Sequence, residues 1–448
     1  MIKKYFKTPT DRTQRANVNT ILSLFFRGGS ILLQFALVPL TIHYIKPDAY
    51  GLWLTLSSLV GWVAMFDIGI GNGLKNKLSE SLAVHDFEKA KMFVSTTYMV
   101  ITLIACVLIA LYFMCYQLVN WQVVFNSNFI EEAELKKVVT IVSLFFLLKF
   151  ITDIINVVAS SFQMVAISSI LLFISNLGLV LSVWILTKST KSDLVLLAFF
   201  LSAIPFLISL LANFYLFNRY FKMVKPSLQS IDFKKSKDIM SLGSKFFILQ
   251  IISLIIFQTD NILIAQLFTP GDVTNFNVAY KYYSIVTILF TIILTPYWTA
   301  FTEAYHIRDY SWIKEGMAKL YRYWYLSIIL LVVMLFFSGF VIKLWVGNQI
   351  NISLNLSIAI CCYVAIFNWN AIFSIFINGV GKIRLQILVA PLAGLLNIPM
   401  SIFFVKVLNW GTYAMPASNF ICLILGAIFG YIQYCKIINN NAKGIWNK

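Results

Sequence analysis

The sequence predicts an all-α, polytopic membrane protein of about 12 transmembrane helices in two six-helix bundles. Composition is the first reason: hydrophobic residues occupy 60% of the 448 positions and charged residues only 12%, against roughly 25% charged residues in soluble domains. Repeated apolar runs are the second, since each has about the 20 residues with which a helix crosses roughly 30 Å of hydrocarbon. The third is a long basic interruption near the middle of the chain, which divides these runs into two sets.

The predicted spans follow one another through short connections. The N-terminal set covers residues 18–41, 50–71, 90–116, 138–160, 166–188 and 194–217, and the C-terminal set covers residues 243–266, 278–300, 322–342, 354–378, 386–407 and 412–434. We therefore predict an N-terminal bundle over residues 1–217, a basic cytoplasmic linker over 218–242 and a C-terminal bundle over 243–448.

The two predicted bundles begin alike. Pro47 follows the first span and Pro270 follows the seventh, each in a short polar turn that leads into the next span. This pattern indicates a parallel repeat of two six-span halves. Transporters built from such repeats place their substrate where the halves meet.

The basic residues are distributed according to the positive-inside rule. With the N terminus assigned to the cytoplasm, 24 lysines and arginines fall in inner segments and 7 in outer segments, a bias that sets the orientation of membrane proteins. Both termini are therefore predicted to be cytoplasmic. Because topology accounts for the net charge of +17, we expect no nucleic-acid partner.

Two of the cytoplasmic connections have amphipathic patterns. Apolar residues recur at helical spacing in both, at Leu74, Leu78 and Leu82 in the first and at Trp312, Ile313, Met317 and Leu320 in the second. Amphipathic helices of this kind can lie in the headgroup layer with their apolar face in the lipid. The sequence therefore predicts two interfacial helices.

Signals of catalysis or cofactor binding are missing from the sequence. The three histidines are far apart, and no G-x-x-x-x-G-K-[ST] loop is present. Gly69, Gly71 and Gly73 follow a membrane span rather than a strand, so they do not fit a dinucleotide fingerprint. The six cysteines lack metal-ligand spacing. We expect no catalytic residue, metal or cofactor.

Charged residues within the apolar runs mark the candidate site, because each costs roughly 2.5–3.5 kcal/mol at the bilayer centre and therefore faces a cavity or a partner. The cations are Arg27, Lys149, Lys245 and Lys281, and the acids are Asp67, Asp153 and Asp260. A cavity with an excess of cations suits an anionic substrate, and a lipid phosphate fits basic groups that face an apolar interior.

Simpler interpretations of these charges stay open. Lys149 and Asp153 are one helical turn apart and could simply neutralise each other. Lys245 and Lys281 lie near the ends of predicted spans, where a lysine can extend to the interface. Arg27 has no acidic partner within its own span.

Five stretches of the chain resemble Wzx-type polysaccharide flippases, which transport O-antigen repeat units and form the polysaccharide transporter family of the MOP exporter superfamily. They are FDIGIGNGLKNKL at 66–78, YIKPDAYGLW at 44–53, QTDNILIA at 258–265, TPYWTAFTEA at 295–304 and NGVGK at 378–382. The resemblance covers most of the chain and does not indicate the sugar.

The resemblance implies a MATE-like fold and alternating access. Its substrate would be an undecaprenyl-pyrophosphate-linked oligosaccharide, turned from the cytoplasmic to the outer leaflet of the bacterial inner membrane during lipopolysaccharide biosynthesis. Related flippases receive the pyrophosphate in a cationic cavity, and Arg27 fits that role best here. Coupling to an ion gradient would use one of four acids, Asp67, Asp153, Asp260 or Glu303, and no motif selects among them.

The partners implied by the resemblance are the lipid-linked oligosaccharide, the bilayer, a polysaccharide polymerase and a chain-length regulator. Two alternatives remain. One is another exporter of the same superfamily, for lipid II or drugs, although the lipid II form usually carries two further helices. The other is a membrane enzyme of polysaccharide assembly, such as a polymerase or acyltransferase, whose large outer loop or His-Asp cluster is missing from the sequence.

The orientation can be tested with topology reporters. We expect fusions after Lys235 and after Lys448 both to report a cytoplasmic position, because the basic residues are concentrated in the inner segments. The measurement is the activity ratio of a reporter active outside the cell membrane to one active inside. An external signal at either site would overturn the assigned topology.

Overall fold

The computed structural model describes residues 12–63, 70–127, 130–162, 164, 166–233 and 259–447. The chain divides into two compact units, residues 1–251 and 252–448, called unit 1 and unit 2 below. The domain limits inferred from the sequence, 1–217, 218–242 and 243–448, remain a prediction.

Unit 1 contains eight helices in the described part of the chain. They are α1 (Arg12–Val63), α2 (Ile70–Ala83), α3 (Phe87–Cys115), α4 (Trp121–Phe125), α5 (Glu132–Thr152), α6 (Ile154–Ser161), α7 (Ala166–Ser189) and α8 (Leu194–Arg219). The main packing pairs are α1 with α7, α5 with α8, α7 with α8, and α2 with α3 and α6.

Unit 2 contains six helices among its described residues. They are α9 (259–267), α10 (Pro270–His306), α11 (Tyr310–Val346), α12 (Leu354–Val380), α13 (Arg384–Lys406) and α14 (Ala414–Ile438). Helix α12 packs against both α10 and α14, while α11 packs on α10 and α13 packs on α14.

The long helix α1 holds the first predicted span, 18–41, and the second up to residue 63. Its backbone leaves helical geometry at Lys46, where φ is 68° and ψ is 162°, next to Pro47, which has no N–H to donate. Tyr44 fixes this turn to the end of α7, because its hydroxyl lies 2.8 Å from Thr190 Oγ1 and donates to the carbonyl of Lys191 at 3.0 Å. The predicted turn at Pro47 is confirmed.

Ten helices in the described ranges are long and apolar enough to cross a membrane. The one at Ile21–Val60 covers most of the first predicted span and the first half of the second, and Glu132–Ser161 includes α5 and α6. Most of the predicted seventh span, 243–266, lies outside the described residues. The fold class is confirmed: the chain is an all-α, multi-pass membrane protein.

The two amphipathic connections do not present their apolar faces to lipid. Leu74 and Leu78 of α2 have no exposed surface and belong to the core of unit 1, together with Phe93 and Ile155. The prediction of an interfacial face was wrong because a leucine repeat has the same pattern whether it contacts lipid or protein.

Three of the four apolar residues in the second connection are buried in the same way, whereas Trp312 is 37% exposed. This connection forms the beginning of α11, and Ile313, Met317 and Leu320 are at most 1% exposed in a core that also contains Phe301 and Phe376. The helix continues without interruption into the predicted ninth span. The apolar face therefore joins the membrane helix to the core of unit 2.

The first half of the basic segment that follows α8 folds back on α3. The Ser227 N–H donates to Ser95 Oγ at 3.0 Å, and the Asp232 N–H donates to Thr96 Oγ1 at 3.0 Å. Phe221 and Val224 are buried in the core of unit 1. These contacts hold the described part of the segment on the surface of unit 1.

Carboxylates begin several helices at the ends of spans. Asp86, Asp193 and Asp309 each accept a hydrogen bond from a backbone N–H in the first turn of α3, α8 and α11, which satisfies a donor that the helix itself cannot pair. Hydrogen bonds from the Ser311 hydroxyl and the Trp312 N–H lower the pKa of Asp309 below its usual value. These caps fix where three of the long helices start.

Candidate functional site

Three of the charged residues selected from the sequence lie beyond what the structure describes. Asp67 and Lys245 fall in segments outside the described ranges, and Glu303 lies in α10 with a side chain that is not described. Their proposed roles stay predictions.

Arg27 lies on α1 within the candidate span Ile21–Val60, and its side chain is exposed on unit 1. No ion pair joins it to another of the described residues. One turn further along, the buried Ser30 hydroxyl accepts a hydrogen bond from Asn176 Nδ2 of α7 at 2.5 Å. This stretch of α1 is therefore fixed against α7, while the guanidinium remains available.

Lys281 is half-buried in α10, inside the candidate span Pro270–Thr295. The sequence placed it near the end of a span that starts at residue 278. The helix itself starts earlier, at Pro270, and Lys281 lies in its interior. The position of this lysine relative to the membrane interface stays a prediction.

Lys149 and Asp153 form an ion pair. They lie one turn apart at the junction of α5 and α6, where the Asp153 N–H donates to the Lys149 carbonyl at 2.8 Å. The other carboxylate oxygen of Asp153 accepts from Ser209 Oγ of α8 at 2.9 Å. The predicted proximity of lysine and aspartate is confirmed, and both carboxylate oxygens have partners.

Asn213 extends this network between three helices. Its Nδ2 donates to the carbonyls of Ser209 at 2.8 Å and Thr152 at 2.7 Å, and its Oδ1 accepts from the hydroxyl of Tyr98 on α3 at 2.5 Å. The ion pair is consequently supported by α3 and α8 as well as by its own helix. Sequence reasoning missed these uncharged members.

A cavity of about 280 Å³ opens beside Lys149 within unit 1. Three helices contribute its wall: Trp53, Ser57 and Val60 from α1, Val142, Phe146 and Lys149 from α5, and Leu201, Ser202 and Pro205 from α8. Lys149 is the one charged residue among the described residues of this lining. The remaining wall is mainly apolar, and the ammonium group that faces it is ion-paired with Asp153.

Ser202 adds a second polar group to the cavity. Its hydroxyl oxygen is buried and has no hydrogen-bond partner among the described residues. An ammonium and a free hydroxyl on an apolar wall can together donate to an oxygen-rich anion such as a phosphate. Positions 202, 209 and 213 share one face of α8, a helical spacing of polar residues that could have identified this face from the sequence.

Unit 2 contains a separate, buried polar network around Asp260 of α9. Asp260 is 5% exposed, and its Oδ2 accepts from Asn419 Nδ2 of α14 at 2.7 Å. Asn419 Oδ1 in turn accepts from Asn397 Nδ2 of α13 at 2.5 Å. Ser418 donates to the Asn397 carbonyl at 3.0 Å. One carboxylate is thereby connected to two neighbouring helices.

Several oxygens of this network lack a hydrogen-bond partner in the described part of the chain. They are Asp260 Oδ1, Thr259 Oγ1, Asn397 Oδ1 and Ser401 Oγ, all buried. A carboxylate with nearby carboxamide and hydroxyl oxygens is suited to accepting a proton or coordinating a small cation. The sequence identified Asp260 but missed Asn397, Ser401 and Asn419.

Comparison with known sequences gives consistent matches. Residues 18–301 match the family described as polysaccharide biosynthesis protein. The chain is 21% identical over 389 residues to a Yersinia pseudotuberculosis protein named for O-antigen export, covering 85% of this chain and 87% of the relative. It is 22% identical over 388 residues to a Salmonella typhi protein named for O-antigen transport, covering 82% and 83%.

Solved structures share the fold. An inward-facing multidrug resistance MATE family transporter superimposes with a TM-score of 0.77 at 12% identity, over 94% of this chain and 99% of that chain. An outward-facing MATE transporter gives 0.62 at 14% identity, over 96% and 97%. The lipid II flippase MurJ in an inward closed conformation gives 0.68 at 16% identity, over 95% and 90%. The MATE-like fold is therefore confirmed.

The ion pair of unit 1 can be tested with a double-mutant cycle of Lys149→Met and Asp153→Asn. We expect the two changes to be coupled by about 1 kcal/mol or more in the free energy of unfolding, because either change alone leaves a charge inside a span without its partner. The measurement is reversible unfolding of the purified chain in micelles.

The control is the ion pair Lys77–Glu80 on α2, which lies outside the candidate membrane spans and for which we expect a coupling of only about 0.3–0.5 kcal/mol. Additive effects of the two changes at Lys149 and Asp153, or coupling no larger than that of the control pair, would contradict the proposed importance of the ion pair.

Proposed function

Because this chain belongs to the polysaccharide biosynthesis protein family, we propose that it is a flippase for an undecaprenyl-pyrophosphate-linked oligosaccharide repeat unit. It would move this unit from the cytoplasmic to the outer leaflet of a bacterial inner membrane. Support comes from the relatives named for O-antigen export and transport, which match most of their length. The resemblance to the MOP superfamily seen in the sequence is confirmed by these matches and by the shared fold.

The observation that carries the proposal is the Lys149 ammonium in an apolar cavity inside a membrane-spanning unit. Such a cation is costly unless it is paired, and Asp153 pairs with it here. A pyrophosphate entering the cavity can take the place of the carboxylate and so supply equivalent charge-assisted hydrogen bonds. The free Ser202 hydroxyl is available to a further oxygen of the same group.

Arg27 is proposed as a second contact for the pyrophosphate. It is an exposed cation inside a span and has no ion pair in the described part of the structure. Its planar guanidinium can bind two phosphate oxygens at once. Lys281, Lys245 and the remaining acids are kept as proposed cavity or gating residues on the basis of their positions in the sequence.

Alternating access is proposed as the transport mechanism. The chain consists of two compact units, and MATE transporters of the same fold have been solved in inward-facing and outward-facing conformations. Movement of a lipid-linked substrate between leaflets breaks no covalent bond, so the proposal requires no catalytic residue. A polysaccharide polymerase and a chain-length regulator are the proposed partners, acting on the unit after it reaches the outer leaflet.

We further propose that Asp260 couples transport to an ion gradient. Its carboxylate is buried in a network that includes Asn397 and Asn419, with several oxygens still lacking donors. A proton taken up by Asp260 would make one carboxylate oxygen a donor to one neighbouring acceptor, whereas a small cation could be bound by several of these oxygens. Release of either would leave the oxygens unpaired again. Occupancy of the network would therefore change the packing of α9 against α13 and α14.

The proposed function can be tested by locating the lipid-linked unit in cells. Loss of the protein should make the unit accumulate on the inner leaflet and abolish surface polysaccharide. The Arg27→Ala variant should cause the same accumulation, because one of the two proposed cationic contacts to the phosphate is lost, while still inserting into the membrane at normal levels. Leaflet position is measured by protection of the unit from an impermeant glycosidase.

Two results would contradict the proposal. Accumulation of unpolymerised unit on the outer leaflet would indicate a polymerase instead. Normal polymer in the Arg27→Ala variant would remove Arg27 from the substrate site.

Ion coupling can be tested with Asp260→Asn, which keeps the shape of the side chain and removes its charge. In vesicles, an imposed proton or sodium gradient should stimulate transport by this variant at least tenfold less than transport by the unmodified protein. The reason is that the network no longer contains a titratable carboxylate. The control is Asn277→Ala, since Asn277 bonds to Asn261 rather than to Asp260. Equal gradient stimulation in Asp260→Asn and in the unmodified protein would rule out this role.

A further inference from the structure

A second cavity lies at the C-terminal end of α11 in unit 2 and has a volume of about 290 Å³. Its polar lining comes from the last turns of α11, the loop that follows, and the first turn of α12: Ser338, Gly339, Lys343, Asn348, Asn351 and Ser357. Neither the proposed substrate site nor the proposed ion-coupling site uses this cavity. The sequence did not predict its residues as functional.

The lining of this cavity is rich in hydrogen-bond donors. Lys343 supplies an ammonium, Asn348 and Asn351 supply carboxamides, and Ser357 supplies a hydroxyl, while the Ser338 hydroxyl already donates to the Leu335 carbonyl at 2.8 Å. The described residues of the wall include no carboxylate. Donors grouped around one cation with no competing acid are suited to an anion with several oxygens, such as a phosphate. The described residues provide no ion-pair partner for Lys343.

An apolar strip runs from the cavity along the outside of α11. Phe336, Phe340 and Leu344 follow one another at four-residue intervals and are 84%, 71% and 77% exposed. Because α11 is a candidate membrane span, surfaces of this kind contact lipid chains. Lys343 lies three residues after Phe340 and therefore on the same side of the helix, so the polar cavity meets the apolar strip at this lysine.

We propose that this cavity binds the headgroup of an anionic phospholipid. The phosphate contacts Lys343 and the carboxamides of Asn348 and Asn351, and the acyl chains lie along Phe336 and Phe340. A volume of about 290 Å³ is at the lower end of the range for small-molecule sites, roughly 300–1,000 Å³. That size suits a headgroup whose chains remain outside, rather than an entire lipid.

The juxtaposition of donors and lipid-facing aromatics favours a membrane source for the phosphate over a soluble one. A free phosphate would use the donors but gain nothing from the apolar strip. The site is contained within unit 2, and Lys149 and Ser202 of unit 1 contribute nothing to it. Binding of the phospholipid is therefore independent of the proposed transport function.

The proposal is tested by native mass spectrometry of the purified full-length chain, titrated with phosphatidylglycerol. We expect Lys343→Gln to weaken binding about tenfold, a loss typical of one charge-assisted contact. The matched control is Lys406→Gln, which removes another exposed lysine from the last turn of a span, α13, outside this cavity. Binding by this control should equal that of the unmodified chain.

A second variant, Gly339→Leu, tests whether the cavity itself is occupied. A Cβ added at Gly339 meets no atom within 4 Å, and Gly339 is part of the cavity wall, so a leucine side chain starts from open space beside the cavity. We expect it to reduce phosphatidylglycerol binding as strongly as Lys343→Gln, with unfolding temperatures unchanged in both variants.

Other outcomes overturn the proposal. Equal binding by Lys343→Gln and the unmodified chain, or equal losses in Lys343→Gln and Lys406→Gln, would show that this cavity does not select the lipid. Full displacement of phosphatidylglycerol by millimolar inorganic phosphate would identify a soluble anion as the ligand. Equal affinity for phosphatidylcholine would show that negative charge on the lipid plays no part.

Discussion

Polar side chains within the spans must find their hydrogen-bond partners inside the protein, because hydrocarbon offers none. This constraint explains the main features of both units. In unit 1, Lys149 is paired with Asp153, whose second oxygen is bonded to Ser209. In unit 2, Asp260 is bonded to Asn419, which is bonded to Asn397. Each network joins helices that are distant in the sequence and fixes their relative positions within its unit.

The two networks differ in ways that suit different tasks. The unit 1 network ends at a cavity, where an ammonium and a free hydroxyl face mainly apolar walls. Under the proposed function, a pyrophosphate group exchanges places there with the carboxylate. The Asp260 network is buried, and its unpaired atoms are one carboxylate oxygen, one carboxamide oxygen and two hydroxyls. Oxygen groups of this kind suit a proton or a small cation. We therefore propose the substrate site at Lys149 and the coupling-ion site at Asp260.

The sequence predicted best the features that depend on neighbouring residues in the chain. The turn at Pro47 follows from the missing N–H of proline, and the contact of Lys149 with Asp153 follows from their spacing of four residues; the structure confirms both. Ser202 and Asn419 could not be selected in the same way, because uncharged polar residues are common in spans and gain meaning only from their tertiary neighbours. The leucines of α2 were misassigned to lipid because amphipathic spacing alone does not identify the apolar phase that a helix faces.

The most direct test is a transport assay with the purified chain in vesicles, using a fluorescent pyrophosphate-linked oligosaccharide lipid as substrate. The Lys149→Met and Lys149→Arg variants are each compared with the unmodified chain. The movement between leaflets is measured by quenching with an impermeant reductant. If Lys149 exchanges Asp153 for the pyrophosphate, Lys149→Met should lose transport, and Lys149→Arg, which keeps the charge, should retain a substantial part of it. Transport by Lys149→Met at the rate of the unmodified chain would contradict the account.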